Sequence, residues 1–217
     1  MRDRDLVRLY WPVELRPAFD ALFGIDDAMA EVVASSTQPA LGAIRLAWWR
    51  EALERLDTNP PPPEPRLQAV AKELLPRGVT GAELGAIEGG WARQLEPAPW
   101  DVGTAEAIWF RGRHLFALAA RLIGASDPQV EPAGGAWALA DAARRCGDAQ
   151  SREPLLDHAR TLSAGLRGHR FDKKSRPVTM LAALARRDID RGAPFEPEAT
   201  PGRAATLLSH RLFGTIA

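Results

Sequence analysis

The sequence predicts an all-α protein, and three observations predict it. Alanine, leucine and arginine dominate, and these are strong helix formers. β-Branched residues are sparse, and no period-two alternation marks a strand. Helix punctuation also recurs: Pro17 in a first turn, Thr80 with Glu83 three residues on, Gly124, and the Thr200-Pro201 pair.

In chain order, a short helix is expected from about Asp3 to Tyr10, stopped by Pro12. A second runs from about Val13 to Ala34; Pro17 costs little there because the first-turn N–H has no intrahelical partner. The third covers about Ala40 to Leu56. Its face Leu46, Trp49, Leu53 and Leu56 is widened by Leu41, Ile44 and Trp48, a width that suggests a buried central helix. TNPPPPEP, Thr58 to Pro65, cannot be helix interior and reads as a stiff surface connection. Helices near Arg66–Leu75 and Thr80–Leu95 follow, the latter opened by a capping box and weakened at Gly89-Gly90. Glu96 to Gly103 is a loop, and Thr104 can cap a helix from about Ala105 to Ile123. Further helices are expected at about Ala133–Cys146, Pro154–Leu166 and Pro177–Arg191, with a last one from Pro201. No internal repeat is present, and the whole chain, 1–217, reads as a single domain.

Composition narrows the function classes. The 217 residues suffice for a sizeable core. Net charge is +0 and pI about 6.9, so no overall field favours nucleic acid or an anionic membrane. Cys146 is the single cysteine, which fits a reducing compartment and excludes an internal disulfide. The charged start MRDRDLVRLYWP is unlike a secretory signal, and no apolar run is long enough to span a bilayer. A cytoplasmic protein is expected. His114, His158, His169 and His210 show no metal-ligand spacing, and no phosphate-loop or nucleophile-elbow string appears.

The most specific string is LGAIRLAWWREAL, Leu41 to Leu53, with adjacent tryptophans flanked by arginines. With ALFGIDDAMAEVVASSTQPA before it, this block resembles the N-terminal helices of squalene/phytoene synthases. The likeness extends to WWR-motif bacterial relatives and to the family's mitochondrial assembly-factor branch. GAWALADAARRCGDA, Gly135 to Ala149, is similar to the helix with the family's second aspartate motif, and Ala159 to Ile189 to its C-terminal helices. The resemblance implies the isoprenoid-synthase (terpenoid synthase-like) helical bundle. It also implies a prenyl-diphosphate substrate and magnesium held between two aspartate motifs.

The chemistry explains why those motifs need carboxylates. A departing diphosphate carries several negative charges, and magnesium bridges its oxygens to carboxylates on facing helices. Here the first motif's positions fall at Ala30, Glu31 and Ala34. Asp26 and Asp27 lie a turn earlier, and Asp27 with Glu31 forms an i, i+4 acidic pair. In the second motif Arg144 and Gly147 match, but Arg145 and Ala149 replace metal-binding aspartates. A cation at a ligand position repels magnesium by on the order of several kcal/mol in a partly desolvated cavity. Asp141 and Arg145, four apart, are expected to pair with each other.

Three readings follow. The first is a degenerate member without magnesium-dependent transfer, which binds a prenyl lipid or a protein partner. Arg45, Trp48, Trp49, Arg111 and Arg144 would line its cavity, with no cofactor. The second is an active prenyltransferase with a shifted site of Asp26, Asp27, Glu31, Asp141 and Asp148 and magnesium at Asp27 and Glu31. The third is a helical interaction protein with a tryptophan-bearing interface. The basic loop 167–176 (Arg167, His169, Arg170, Lys173, Lys174, Arg176) adds possible peripheral contact at the inner membrane face.

Overall fold

A computed structural model describes residues 2–216. Among them are eleven α-helices: α1 Asp3–Arg8, α2 Arg16–Ser35, α3 Pro39–Arg55, α4 Pro65–Glu73, α5 Gly81–Gly85, α6 Glu88–Ala92, α7 Val102–Ile123, α8 Val130–Arg145, α9 Ala149–Ala164, α10 Arg176–Arg191 and α11 Pro201–Phe213. No strand occurs among the described residues, only an isolated antiparallel bridge between Arg170 and Thr215. The all-α expectation holds, and the helices form one compact domain.

The caps explain where most helices begin. Thr80 and Glu83 form the expected capping box of α5, and Thr200 accepts the Arg203 N–H at the start of α11. Gly124, with φ of 66°, closes α7 in the left-handed region. Two boundaries differ from the sequence reading because an upstream aspartate supplies the cap. Asp101, not Thr104, caps α7; Asp148 caps α9, which therefore starts five residues before Pro154. The expected helix Thr80–Leu95 is three short pieces, α5, α6 and a 3₁₀ turn at Arg93–Leu95. Three glycines (Gly85, Gly89, Gly90) lower its helix propensity, so packing sets the path.

The pair α7–α8 forms the centre of the bundle, with α9, α10, α11 and α1 on one side and α2 to α6 on the other. Two glycines set the α7–α8 spacing. A Cβ on Gly112 would lie 2.1 Å from the Gly134 carbonyl oxygen, and one on Gly134 would lie 2.3 Å from that of Gly112. The backbones touch, and no larger residue fits without moving a helix.

The buried side of α3 is narrower than the sequence suggested. Leu46, Trp49 and Leu53 are buried against the bundle, whereas Leu41, Ile44 and Trp48 are 54%, 65% and 48% exposed. The helix packs against α2, α5 and α6, and no described element covers its outer face. It is a peripheral helix, not a central one.

Two predictions follow from this packing. Gly134→Ala is expected to destabilise the fold by about 1–3 kcal/mol in urea denaturation, the usual cost of overpacking. Gly24→Ala, within α2 where a Cβ meets nothing within 4 Å, should stabilise by about 0.5–1 kcal/mol.

A third prediction concerns His210 of α11, buried against α10. Its Nε2 lies 2.9 Å from Thr179 Oγ1 and its Nδ1 2.9 Å from the Thr215 carbonyl. Burial pushes its pKa below 6.5, against the bond to Thr215. The unfolded chain therefore takes up a proton first as pH falls. This stabilising contribution is complete above pH 6.5 and is lost as pH drops from there through the lower folded pKa. His210→Gln should flatten that part of a melting-temperature profile against pH.

Candidate functional site

The helices with the two motif segments, α2 and α8, face each other. Asp27, Ala30 and Ala34 of α2 border one groove together with Asp141, Arg144 and Arg145 of α8. Arg144 and Arg145 stand among the acidic residues of this groove.

Asp26 is the hub, with a completely buried carboxylate. It accepts from Trp91 Nε1 at 2.9 Å, from Arg111 at 2.9 Å and from Arg4 at 2.6 Å. The Arg111 guanidinium also lies 3.8 Å over the Trp91 ring, so three elements are clamped on one carboxylate. Asp27 accepts from Arg2 at 2.9 Å and from Arg4 at 2.5 Å. Asp141 pairs with Arg145 at 3.0 Å, the expected i, i+4 bond, and with Arg111 at 3.4 Å. Burial alone would raise the Asp141 pKa, but the Arg145, Arg111 and Arg4 charges outweigh it and hold it below 3.8. The charge of Asp141 in turn raises the pKa of Arg145.

A second cluster lies across a small cavity from the first. Asp188 of α10 receives Arg144 at 3.0 Å and Arg203 at 2.6 Å. Arg203 also donates to Asp3 of α1 at 2.8 Å. Two ion-pair clusters thus flank one small cavity: Arg4, Arg111 and Arg145 with Asp26, Asp27 and Asp141, and Arg144 and Arg203 with Asp3 and Asp188.

These residues do not fit a magnesium cluster. Every carboxylate of the network already accepts from a guanidinium. Glu31 borders the groove as well, but it pairs with Arg66 at 2.9 Å, with its side chain 62% exposed. Asp148 is spent on capping, accepting from the Ser151 N–H and Oγ–H at 2.7 Å. Among the described residues no group of three or more His, Cys, Asp or Glu is placed to hold a metal ion. The interior cavity against Trp137, Asp141 and Asp188 measures about 60 Å³. Ligand pockets run about 300–1,000 Å³, so this space accepts a few waters and no prenyl chain.

Two larger openings lie at the surface, the α2–α8 groove itself and a groove beside it, each about 370 Å³. The second is walled by Val33, Trp91 and Trp100, with Arg145 and Cys146 at one edge. It adjoins the α2–α8 groove through the shared residues Ala30, Ala34 and Arg145. The other cavity candidates from the sequence are placed apart from it. Arg111 is wholly buried in the network and Arg144 lines the small cavity. Trp49 is core, Trp48 stands on the outer face of α3, and Arg45 beside it bonds Ser35 Oγ at 3.1 Å.

Sequence reasoning missed Arg4, Arg203, Asp3, Asp188 and Trp91. Their only signal was an excess of arginine, which looks the same on a surface as in a core. Compared with family models, curated proteins and solved structures, the chain matches none.

If the network is a structural core, Asp26→Ala should cost about 3–5 kcal/mol, because it leaves buried guanidiniums uncompensated. Glu31→Ala, on the surface, should change stability by less than about 0.5 kcal/mol. Urea denaturation of both variants checks this.

Proposed function

We propose that this protein is a non-catalytic binding protein built on an isoprenoid-synthase-like bundle. The observation that carries the reading is the guanidinium on each carboxylate of the network between α2 and α8. Diphosphate ionisation needs free carboxylates to hold magnesium, and an arginine cannot be displaced from a buried aspartate without a large desolvation cost. The resemblance of Ala21 to Leu53 to squalene/phytoene synthases supports the choice of fold and of ligand class in this reading.

The ligand in this reading is an amphipathic anion of the prenyl-phosphate type, bound without metal. Its chain would lie on Val33 and Trp100, and its anionic head would meet Arg145 at the junction of the two grooves. Arg145 is suited to that role because its side chain is 43% exposed while Asp141 holds it in place.

Calorimetric titration with farnesyl diphosphate tests this. Binding is expected with and without magnesium, unchanged by chelator, and weakened at least about tenfold by Arg145→Ala. Magnesium-dependent turnover of farnesyl or geranylgeranyl diphosphate would overturn the reading in favour of an active transferase.

One observation favours a second reading, a helical interaction protein. Leu41, Ile44 and Trp48 form an exposed apolar stripe at helical spacing on α3. In that case Ile44→Ser with Trp48→Ser would abolish partner capture while farnesyl diphosphate fails to bind the unaltered protein.

A further inference from the structure

We infer that the end of the molecule formed by the C-terminus of α11, the basic loop and the α1–α2 turn docks on an anionic lipid surface. This does not rest on the ligand reading above. Hydrogen bonds bring the three segments together. Arg170 Nε donates to the Phe213 carbonyl at 3.0 Å, and the Phe171 N–H to that of Gly214 at 2.8 Å. Arg176 is buried and donates to the carbonyls of Arg211 and Leu212 at 3.0 and 3.1 Å, closing the end of α11. The next residue, Pro177, accepts from Trp11 Nε1 at 3.3 Å, which ties in the α1–α2 turn.

This end exposes large apolar side chains that a folded protein normally covers. Leu208, Leu212 and Phe213 of α11 are 52%, 58% and 58% exposed, and Leu9 and Val13 of the turn are 58% and 69% exposed. Leu208 and Leu212, four apart, share one face of α11.

Cations accompany them. Arg167, Arg170, Lys173, Lys174 and Arg211 are exposed. No ion pair involves any of the five among the described residues, whereas all but four of the other arginines (Arg16, Arg45, Arg152 and Arg176) pair with a carboxylate. The one acid of the loop, Asp172, is turned onto the Ser175 N–H and Oγ–H. Glu14 is the acid beside Val13. In a chain of net charge +0, cations left unpaired beside exposed Leu and Phe make a surface matched to acyl chains under anionic headgroups. His169 and Arg176 are not part of it: His169 pairs with Asp127 at 2.8 Å, and Arg176 is spent inside.

Co-sedimentation of the full chain with vesicles tests the proposal. Phosphatidylcholine vesicles containing phosphatidylserine should retain the protein, and pure phosphatidylcholine should not. The triple change Lys173→Ser, Lys174→Ser, Arg211→Ser should weaken retention on the order of a hundredfold. Leu212→Ser with Phe213→Ser should also release it, while Ile44→Ser on α3 should not. All the altered side chains are exposed, so circular dichroism should show an intact fold. No retention, equal retention on neutral vesicles, or a dimer broken by Leu212→Ser in the absence of vesicle binding would overturn the proposal.

Discussion

The buried carboxylate of Asp26 is the constraint around which the bundle is arranged. It has no exposure to water and yet takes three donors, from α1, α6 and α7. An isolated buried carboxylate would cost many kcal/mol, so those donors must arrive together. Arg4 and Arg111 in turn bring their own charges, which Asp27 and Asp141 balance. From that follows the registry of α8 against α2, and through Arg144, Asp188 and Arg203 the placement of α10, α11 and α1. Such a network need not raise net stability over an apolar core. It does penalise any arrangement that separates the pairs, so its contribution is to specify one packing.

The same network shapes what the groove can do. Facing acidic helices hold metal only if their carboxylates are open to it. Here the resident cations belong to the chain, and they leave about 60 Å³ in the interior, with the α2–α8 groove of about 370 Å³ at the surface. Space moves outward, to the neighbouring groove with Trp91 and Trp100 on its wall and Arg145 at its rim. The binding role proposed above would use Arg145 as a fixed cation.

Local rules made much of this legible in the sequence. The Thr80–Glu83 box, the Thr200 cap, the Gly124 stop and the Asp141–Arg145 pair each span four residues or fewer, a range at which pattern determines geometry. The network itself was not legible. Arg4 meets Asp26 across 22 residues, Arg111 meets Asp26 across 85, and Arg203 meets Asp3 across 200. Nothing local distinguishes those arginines from solvated ones. Trp48 shows the complementary limit. The apolar periodicity of α3 gives a broad stripe, but only the neighbouring helices decide which edge of it is covered.

The central claim is that the aspartates between α2 and α8 are counter-ions to arginine, not ligands of a metal. A magnesium titration followed by thermal melting tests it most directly, because any ligand that binds only the folded state raises the melting temperature by mass action. The account predicts no rise up to large excess of magnesium, with or without farnesyl diphosphate. A magnesium-dependent rise that Asp27→Asn abolishes would contradict it.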